Sequence, residues 1–215
     1  MNIDQISELT KQAYDKTALK YYNNYKNEIF QKEYDRLLLD KFSNMLNAGS
    51  LICDAGCGPC GTIGMYMVEK GHKITGIDIS PKCIEIASSY YPQIEFEVMD
   101  IMNTGFKDEQ FDAIMSFYSI IYIPKEYVDD IFNEFYRILK SNGKLLIVVK
   151  KGNNEGLIDD KWYEGNKVYF SYFKENEIED YFIRNNFRID YFDVRKPYDF
   201  EISVDRIYSI GTKMN

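Results

Sequence analysis

The sequence predicts an α/β protein built on a parallel, doubly wound sheet with helices on both faces. Three observations carry this. Between residues 50 and 150, strand-like apolar runs alternate with helical ones. The first strand runs into a glycine-rich turn, "LICDAGCGPCG", and then into a helix. The fifth strand, "KLLIVVK", is a continuous aliphatic run, as a strand covered on both faces requires.

The elements follow in order. From about Ile3 to Leu46 the pattern is helical and rich in Tyr and Lys; "EYDRLLLDKFSNML" spaces its apolar residues as an amphipathic helix does. "NAGS" breaks it. "SLICDA" is a strand ending at Asp54, and residues 59–70 form a helix stopped by Gly71. "KITGID" is a second strand, ending at Asp78. Ser80 as N-cap and Pro81 in the first turn start the next helix. "IEFEVM" leads to Asp100, and "FDAIMSF" is the fourth strand. A helix follows Pro124, from about 125 to 140, and Gly143 closes it. "KKGNNEGLIDD" reads as a mobile loop and "KVYFSYF" as a strand over a pocket. "KENEIEDYFIRNNF" is an amphipathic helix. "RIDYFDV" and "RIYSIGTK" are strands joined by a turn around "KPYDF".

Composition narrows the function. A net charge of −8 argues against nucleic acid as the main partner, because an acidic surface repels phosphate backbones. The polar N-terminus has no signal-peptide pattern, and no apolar run is long enough to span a membrane, so the sequence predicts a cytoplasmic protein with reduced cysteines. The 19 Tyr and 14 Phe exceed what a plain core needs and predict an aromatic-lined pocket.

The turn at residues 51–61 has three parses. Cys53, Cys57 and Cys60 have the spacing of an iron–sulfur site. Cys53, however, falls inside a buried strand, Cys83 adds no matching partner, and no metal site is expected. The glycines instead allow a tight turn and close approach of a ligand to a helix N-terminus. Asp78, 17 residues after Gly61, suits the two hydroxyls of a ribose. Asp54, just ahead of the glycines, suits a ligand with an ammonium group and opposes a pyrophosphate. Asp100 is a third carboxylate on the same edge, placed to accept from an adenine amino group. S-adenosylmethionine meets all three conditions.

Residues 50–150 resemble the class I S-adenosylmethionine-dependent methyltransferases, on "LICDAGCGPCG", "ITGIDIS", "EFEVMDI", "FDAIMSFYSIIYIP" and "RILKSNGKLLIVVK". The resemblance implies a Rossmann-like seven-stranded sheet whose last strand is antiparallel, formed by the C-terminal hairpin. It implies that Asp54, Gly56, Cys57 and Gly58 hold the amino-acid end of the cofactor, that Asp78 binds the ribose, and that Ile79 packs on the adenine. Asp100 and Ile101 would meet the adenine, with Ser116, Phe117 and Tyr118 beside the sulfonium. "YDKTALKYY" resembles a segment that caps the cofactor in this family, which brings in Tyr14 and Tyr21. Residues 1–48 would then be a helical cap, residues 49–215 the methyltransferase core, and residues 151–175 a lid or acceptor-pocket insertion.

Many relatives carry a His in the "SIIYIP" segment, where this chain has Tyr122; its only His, His72, is expected on the surface far from the crevice. Tyr118, Tyr122 and Lys150 are therefore the candidates for a catalytic base, with Lys150 alternatively a site for an anionic substrate. Trp162, Tyr169 and Tyr172 are candidates for binding a small organic acceptor. Two other readings stay open: a nicotinamide-dependent reductase, and a domain that holds the cofactor without turnover.

Overall fold

The computed structural model describes residues 1–159 and 161–215. Five strands form a parallel sheet: β1 (Leu51–Ala55), β2 (Lys73–Asp78), β3 (Glu95–Val98), β4 (Phe111–Phe117) and β5 (Leu139–Lys150). Near the C-terminus β8 (Phe187–Arg195) and β9 (Arg206–Lys213) form a hairpin, and β9 pairs antiparallel with β5. The order is β3-β2-β1-β4-β5-β9-β8. The last strand of the chain is thus the antiparallel one, as the sequence predicts.

Both faces are covered, which explains the unbroken aliphatic run of β5. On one face α6 (Val128–Ile138) and α7 (Glu175–Arg184) bury Phe132, Phe135, Ile178 and Phe182 against Ile114 and Ile147. On the other, α3 (Glu33–Asn44) and α4 (Thr62–Glu69) bury Leu39, Phe42 and Met67 against Ile52, Met115 and Leu146. Fully burying one such side chain contributes roughly 1.5–3 kcal/mol. So α3 belongs to the helical layer of the sheet. Ahead of it, α1 (Ile3–Tyr25) and the single turn α2 (Glu28–Gln31) run across the C-terminal ends of the strands. A capping box between Asn2 and Gln5 starts α1.

α5 (Pro81–Tyr90) begins as predicted, with Ser80 capping the N–H of Cys83. Two expectations are corrected. The segment expected to be a mobile loop holds β6 (Glu155–Asp159), which pairs antiparallel with β7 (Lys167–Ser171) in a separate two-stranded sheet. Its own sequence is too polar to show this; the ladder to β7 satisfies its backbone. Asp160, the last residue of that segment, lies outside the described residues. β7 packs against α1 and the turn at 120–122. Second, His72 is not a surface residue. It is 6% exposed and its Nε2 lies 2.8 Å from Ser43 Oγ, because α3 folds over the start of β2. Burial lowers its pKa below the ordinary value. It stands at the N-terminal end of β2, remote from the strand ends where the cavity opens.

Among the described residues no helix is long and apolar enough to cross a membrane.

Phe132 is fully buried and its ring packs against those of Tyr181, Phe182 and Phe187. Phe132→Ala is expected to cost about 3–5 kcal/mol in denaturant unfolding, because α6, α7 and β8 all close on that ring.

Candidate active site

The strand order reverses between β1 and β4, so their connections leave in opposite directions and open a crevice at the C-terminal edge. A cavity of about 170 Å³ lies there. Its floor is the turn after β1, where Gly56, Gly58 and Gly61 have φ of 82°, 60° and 58°. Only glycine takes these values without strain. At Gly56 there is also no room: a Cβ would lie 2.2 Å from Cβ of Ser119. The N–H groups of Gly56 and Cys57 both donate to the carbonyl of Ile77, at 2.8 and 2.9 Å, which pins the turn to β2.

Asp54, Asp78 and Asp100 all reach the cavity. Asp78 is oriented by two backbone donors, Gly58 N–H at 3.0 Å and Ser80 N–H at 2.9 Å. Burial still pushes its pKa up to about 6. Asp54 is 3% exposed. Burial first, then the charge of Asp78, push its pKa up to about 7, against a smaller pull from the Gly64 N–H. Asp100 accepts from the N–H of Met102 at 2.9 Å, and Ile79 and Ile101 supply apolar wall beside it. Among the described residues, five carboxylates line the cavity (Glu28, Asp35, Asp54, Asp78 and Asp100) against one cation, Lys32. Such a wall favours a ligand that brings positive charge.

The roof comes from α1. Tyr14, Tyr21 and Tyr25 face the cavity, and Tyr14 donates to Tyr122 at 2.5 Å. Tyr122 in turn lies 3.1 Å from the hydroxyl of Tyr163. Asp15 fastens α1 to the start of α5, accepting from Ser80 Oγ at 2.6 Å and from Lys82 N–H at 3.2 Å. Sequence reasoning misses Asp15, although it follows Tyr14 directly and lies in the same capping segment. At the end of β4, Phe117 and Tyr118 line the cavity, while Ser116 is fully buried behind it with Oγ 2.5 Å from that of Ser119. Tyr118 holds φ at 54°, unfavourable for a bulky residue and a mark of strain at a functional turn.

The expected acceptor residues stand behind the wall rather than on it. Trp162 backs Tyr25 and Tyr21, with ring centroids 5.5 and 6.4 Å away, and carries the Lys20 ammonium 4.5 Å above its ring. Tyr169 turns toward Glu155, and Tyr172 packs on Phe170 at 4.8 Å. Of the candidate bases, Tyr118 and Tyr122 are half-buried, and desolvation holds both phenols above their ordinary pKa. They are donors and ring faces at neutral pH. Lys150 goes the other way: burial, then Arg206 and Lys32, lower it to about 8.

A buried ionic network closes the far end. Lys32, 5% exposed, lies 3.1 Å from Glu28, 3.0 Å from Glu201 and 4.0 Å from Asp35. Arg195 grips Glu201 with two hydrogen bonds of 2.8 and 3.0 Å. Tyr208 donates to Asp35 at 2.8 Å. Burial works against the charge on Glu201, but Arg195, the Tyr198 N–H and Lys32 outweigh it and hold its pKa down to about 2.

Residues 52–143 match the family model described as a methyltransferase domain. The chain is 30% identical over 139 residues to the putative methyltransferase 235L of Invertebrate iridescent virus 6, a match covering 63% of this chain and 50% of that protein. It is 33% identical over 123 residues to phosphoethanolamine N-methyltransferase of Plasmodium falciparum, covering 55% of this chain and 46% of that protein. The chain thus spans half or less of the length of these curated relatives. Among solved structures, a methyltransferase from Methanosarcina mazei described as SAM-dependent superposes with a TM-score of 0.74 at 22% identity, over 81% of this chain and 97% of that one. The 1,6-didemethyltoxoflavin-N1-methyltransferase of Burkholderia thailandensis, solved with S-adenosylhomocysteine, gives 0.72 at 14% identity, over 100% and 92%. Both likenesses concern the fold.

Asp54 generates a prediction about the protein alone. Its pKa is about 7 when folded, against an ordinary value of 3.8. The folded state therefore favours the protonated form. The penalty is absent below about pH 4, builds as pH rises, and is complete above about 7. At that point it amounts to on the order of 4 kcal/mol. Asp54→Asn is expected to raise the melting temperature at pH 8 and to leave it nearly unchanged at pH 4; no gain at pH 8 would mean the carboxylate is already neutralised.

Proposed function

We propose that this chain, whose residues 52–143 match a methyltransferase-domain family, is a class I, S-adenosylmethionine-dependent methyltransferase. The protein transfers a methyl group from S-adenosylmethionine to a small organic acceptor. The observation that supports this best is the unpaired, buried carboxylate of Asp54 beside the glycine turn. It has no cation beside it among the described residues, and the amino-acid end of S-adenosylmethionine brings an ammonium. A dinucleotide would bring phosphates to a wall of five carboxylates.

In this reading Asp54 and the turn at Gly56, Cys57 and Gly58 hold the amino-acid end. Asp78, already oriented by Gly58 and Ser80, accepts from the ribose hydroxyls. Asp100, Ile79 and Ile101 take the adenine. Tyr14 and Tyr21 cover the site from α1. When bound, the cofactor supplies an activated methyl group on a sulfonium. The chain's task is to exclude water and to align an acceptor for in-line displacement. Phe117 and Tyr118 flank that place at the end of β4. Histidine takes no part, since the chain's one His is held by Ser43 away from the strand ends. A small acceptor is favoured by the roof of α1 and by the acidic wall, which opposes an RNA backbone.

Titration calorimetry tests this. S-adenosylhomocysteine is expected to bind and NADH is not. Affinity for S-adenosylhomocysteine should rise up to tenfold per pH unit below about 7, as Asp54 ionises, and level off above it. Asp54→Ala should abolish binding, whereas Cys57→Ser and Cys60→Ser should change it much less. NADH binding with no response to S-adenosylhomocysteine would support the reductase instead.

The rings behind the roof yield a second test. If residues 151–175 form the acceptor side, Trp162→Ala is expected to raise the KM for the acceptor severalfold more than the KM for S-adenosylmethionine, even though its ring also backs Tyr21 and Tyr25. An equal rise in both would remove its assignment to the acceptor side.

A further inference from the structure

Lys150 is a feature of this end of the molecule that neither the fold nor the cofactor reading uses. It ends β5, is only partly exposed, and makes no ion pair or hydrogen bond among the described residues; its ammonium stands 4.8 Å over the ring of Phe170. Its neighbour across the ladder is Arg206, so two cations face each other on paired strands. Arg206 is 4% exposed, and its Nε makes no hydrogen bond among the described residues, lying 3.5 Å from Glu201. The Tyr118 hydroxyl is also buried without a well-aligned partner, beside that of Tyr208, whose proton goes to Asp35. Two buried donors, Arg206 Nε and the Tyr118 hydroxyl, therefore lack acceptors among the described residues in one region, and Lys150 stands across the ladder from Arg206 with no carboxylate on it. Unmet buried donors are costly, and natural structures rarely leave them without a reason.

Charge points the same way. The cations gathered here are Lys32, Lys150, Arg195 and Arg206, and the carboxylates are Glu28, Asp35 and Glu201. Four against three leaves one positive charge, and Lys150 is the member without a partner. The low pKa of its ammonium, about 8, reflects burial first and then Arg206 and Lys32, with Glu28 and Glu201 offsetting them in part. Lys150 is not itself on the cavity lining; its ammonium packs on Phe170, whose ring packs edge-on against Tyr122 of that lining. A lysine's flexible four-carbon stem lets its ammonium swing toward that lining.

We propose that the methyl acceptor carries a single anionic oxygen group, a carboxylate or an acidic phenol, and that Lys150 is its anchor, with Tyr118 as second donor. This rests on the methyltransferase reading but goes beyond it. It also separates acceptor classes. A phosphate would bring about two negative charges to a site with one positive charge to spare. A cationic amine would add to the excess.

The test uses the full chain saturated with S-adenosylhomocysteine and three probes of one shape: benzoate, benzamide and benzylamine, with 4-nitrophenol as the acidic phenol. Calorimetry at pH 7 is expected to give tenfold or tighter binding of benzoate or 4-nitrophenol relative to benzamide and benzylamine; which anion prevails tells carboxylate from phenolate. Lys150→Met should remove that preference, and Lys150→Arg should keep most of it, while the Kd for S-adenosylhomocysteine stays within twofold in both. Because Lys150→Met relieves a like-charge pair, its melting temperature should be no lower than that of the parent, so lost anion binding will not reflect unfolding. Equal binding of benzoate and benzamide, tighter binding of benzylamine, no anion binding at millimolar concentration, or a preference that survives Lys150→Met would each overturn the proposal. Failure to bind S-adenosylhomocysteine would count against the cofactor reading instead. The same probes titrated into the protein alone then decide the anion site by the same outcomes.

Discussion

A buried carboxylate without a cation is the constraint on which this structure turns. Asp54 is held near the C-terminal end of β1, surrounded by protein and facing the negative charge of Asp78. A fold optimised only for stability would place an apolar residue there. The cost is tolerated because the glycine turn, the order reversal of the sheet and the helix N-terminus all meet at this point. The same stored penalty is what a cationic ligand relieves, so stability given up by the protein alone returns as affinity.

The rest of the molecule keeps water away from that point. The two ends of the chain do this together. From the N-terminus, α1 lays its tyrosines over the strand ends and is fastened at one side by Asp15 on Ser80. At the other side Lys32 reaches Glu201 of the C-terminal hairpin, which Arg195 holds from the same hairpin. Breaking one member of such a buried network leaves charges unmatched and is strongly destabilising, which holds the two ends of the chain together. The roof is thus fixed at two points, one beside the turn at Asp78 and one at the end of β5, and the cavity lies between.

How much of this is legible in the sequence follows from the range of each interaction. Asp54, Asp78 and Asp100 are legible because each ends a strand whose apolar run can be read locally, and a parallel sheet brings such ends to one edge. Lys32 and Asp35 are not. In the helical pattern they look like a solvated face, and their partners Glu201, Arg195 and Tyr208 lie at the far end of the chain. His72 is misplaced for the same reason: nothing near it in sequence shows that Ser43 covers it. The strand β6 is hidden because its ladder to β7, and not its own residues, makes it a strand.

The same reasoning separates the two halves of the cavity. Near the glycine turn the wall is carboxylate, with no cation among the described lining residues that face Asp54 and Asp78. At the far end the charges nearly cancel and leave one ammonium over. A ligand pair that is positive at one end and negative at the other fits this gradient. The methyl group would then be passed between a cationic donor and an anionic acceptor, whose mutual attraction is strongest in the low-dielectric space that the roof of α1 encloses. On that argument the roof does more than exclude water: by lowering the dielectric around opposite charges it draws donor and acceptor into line.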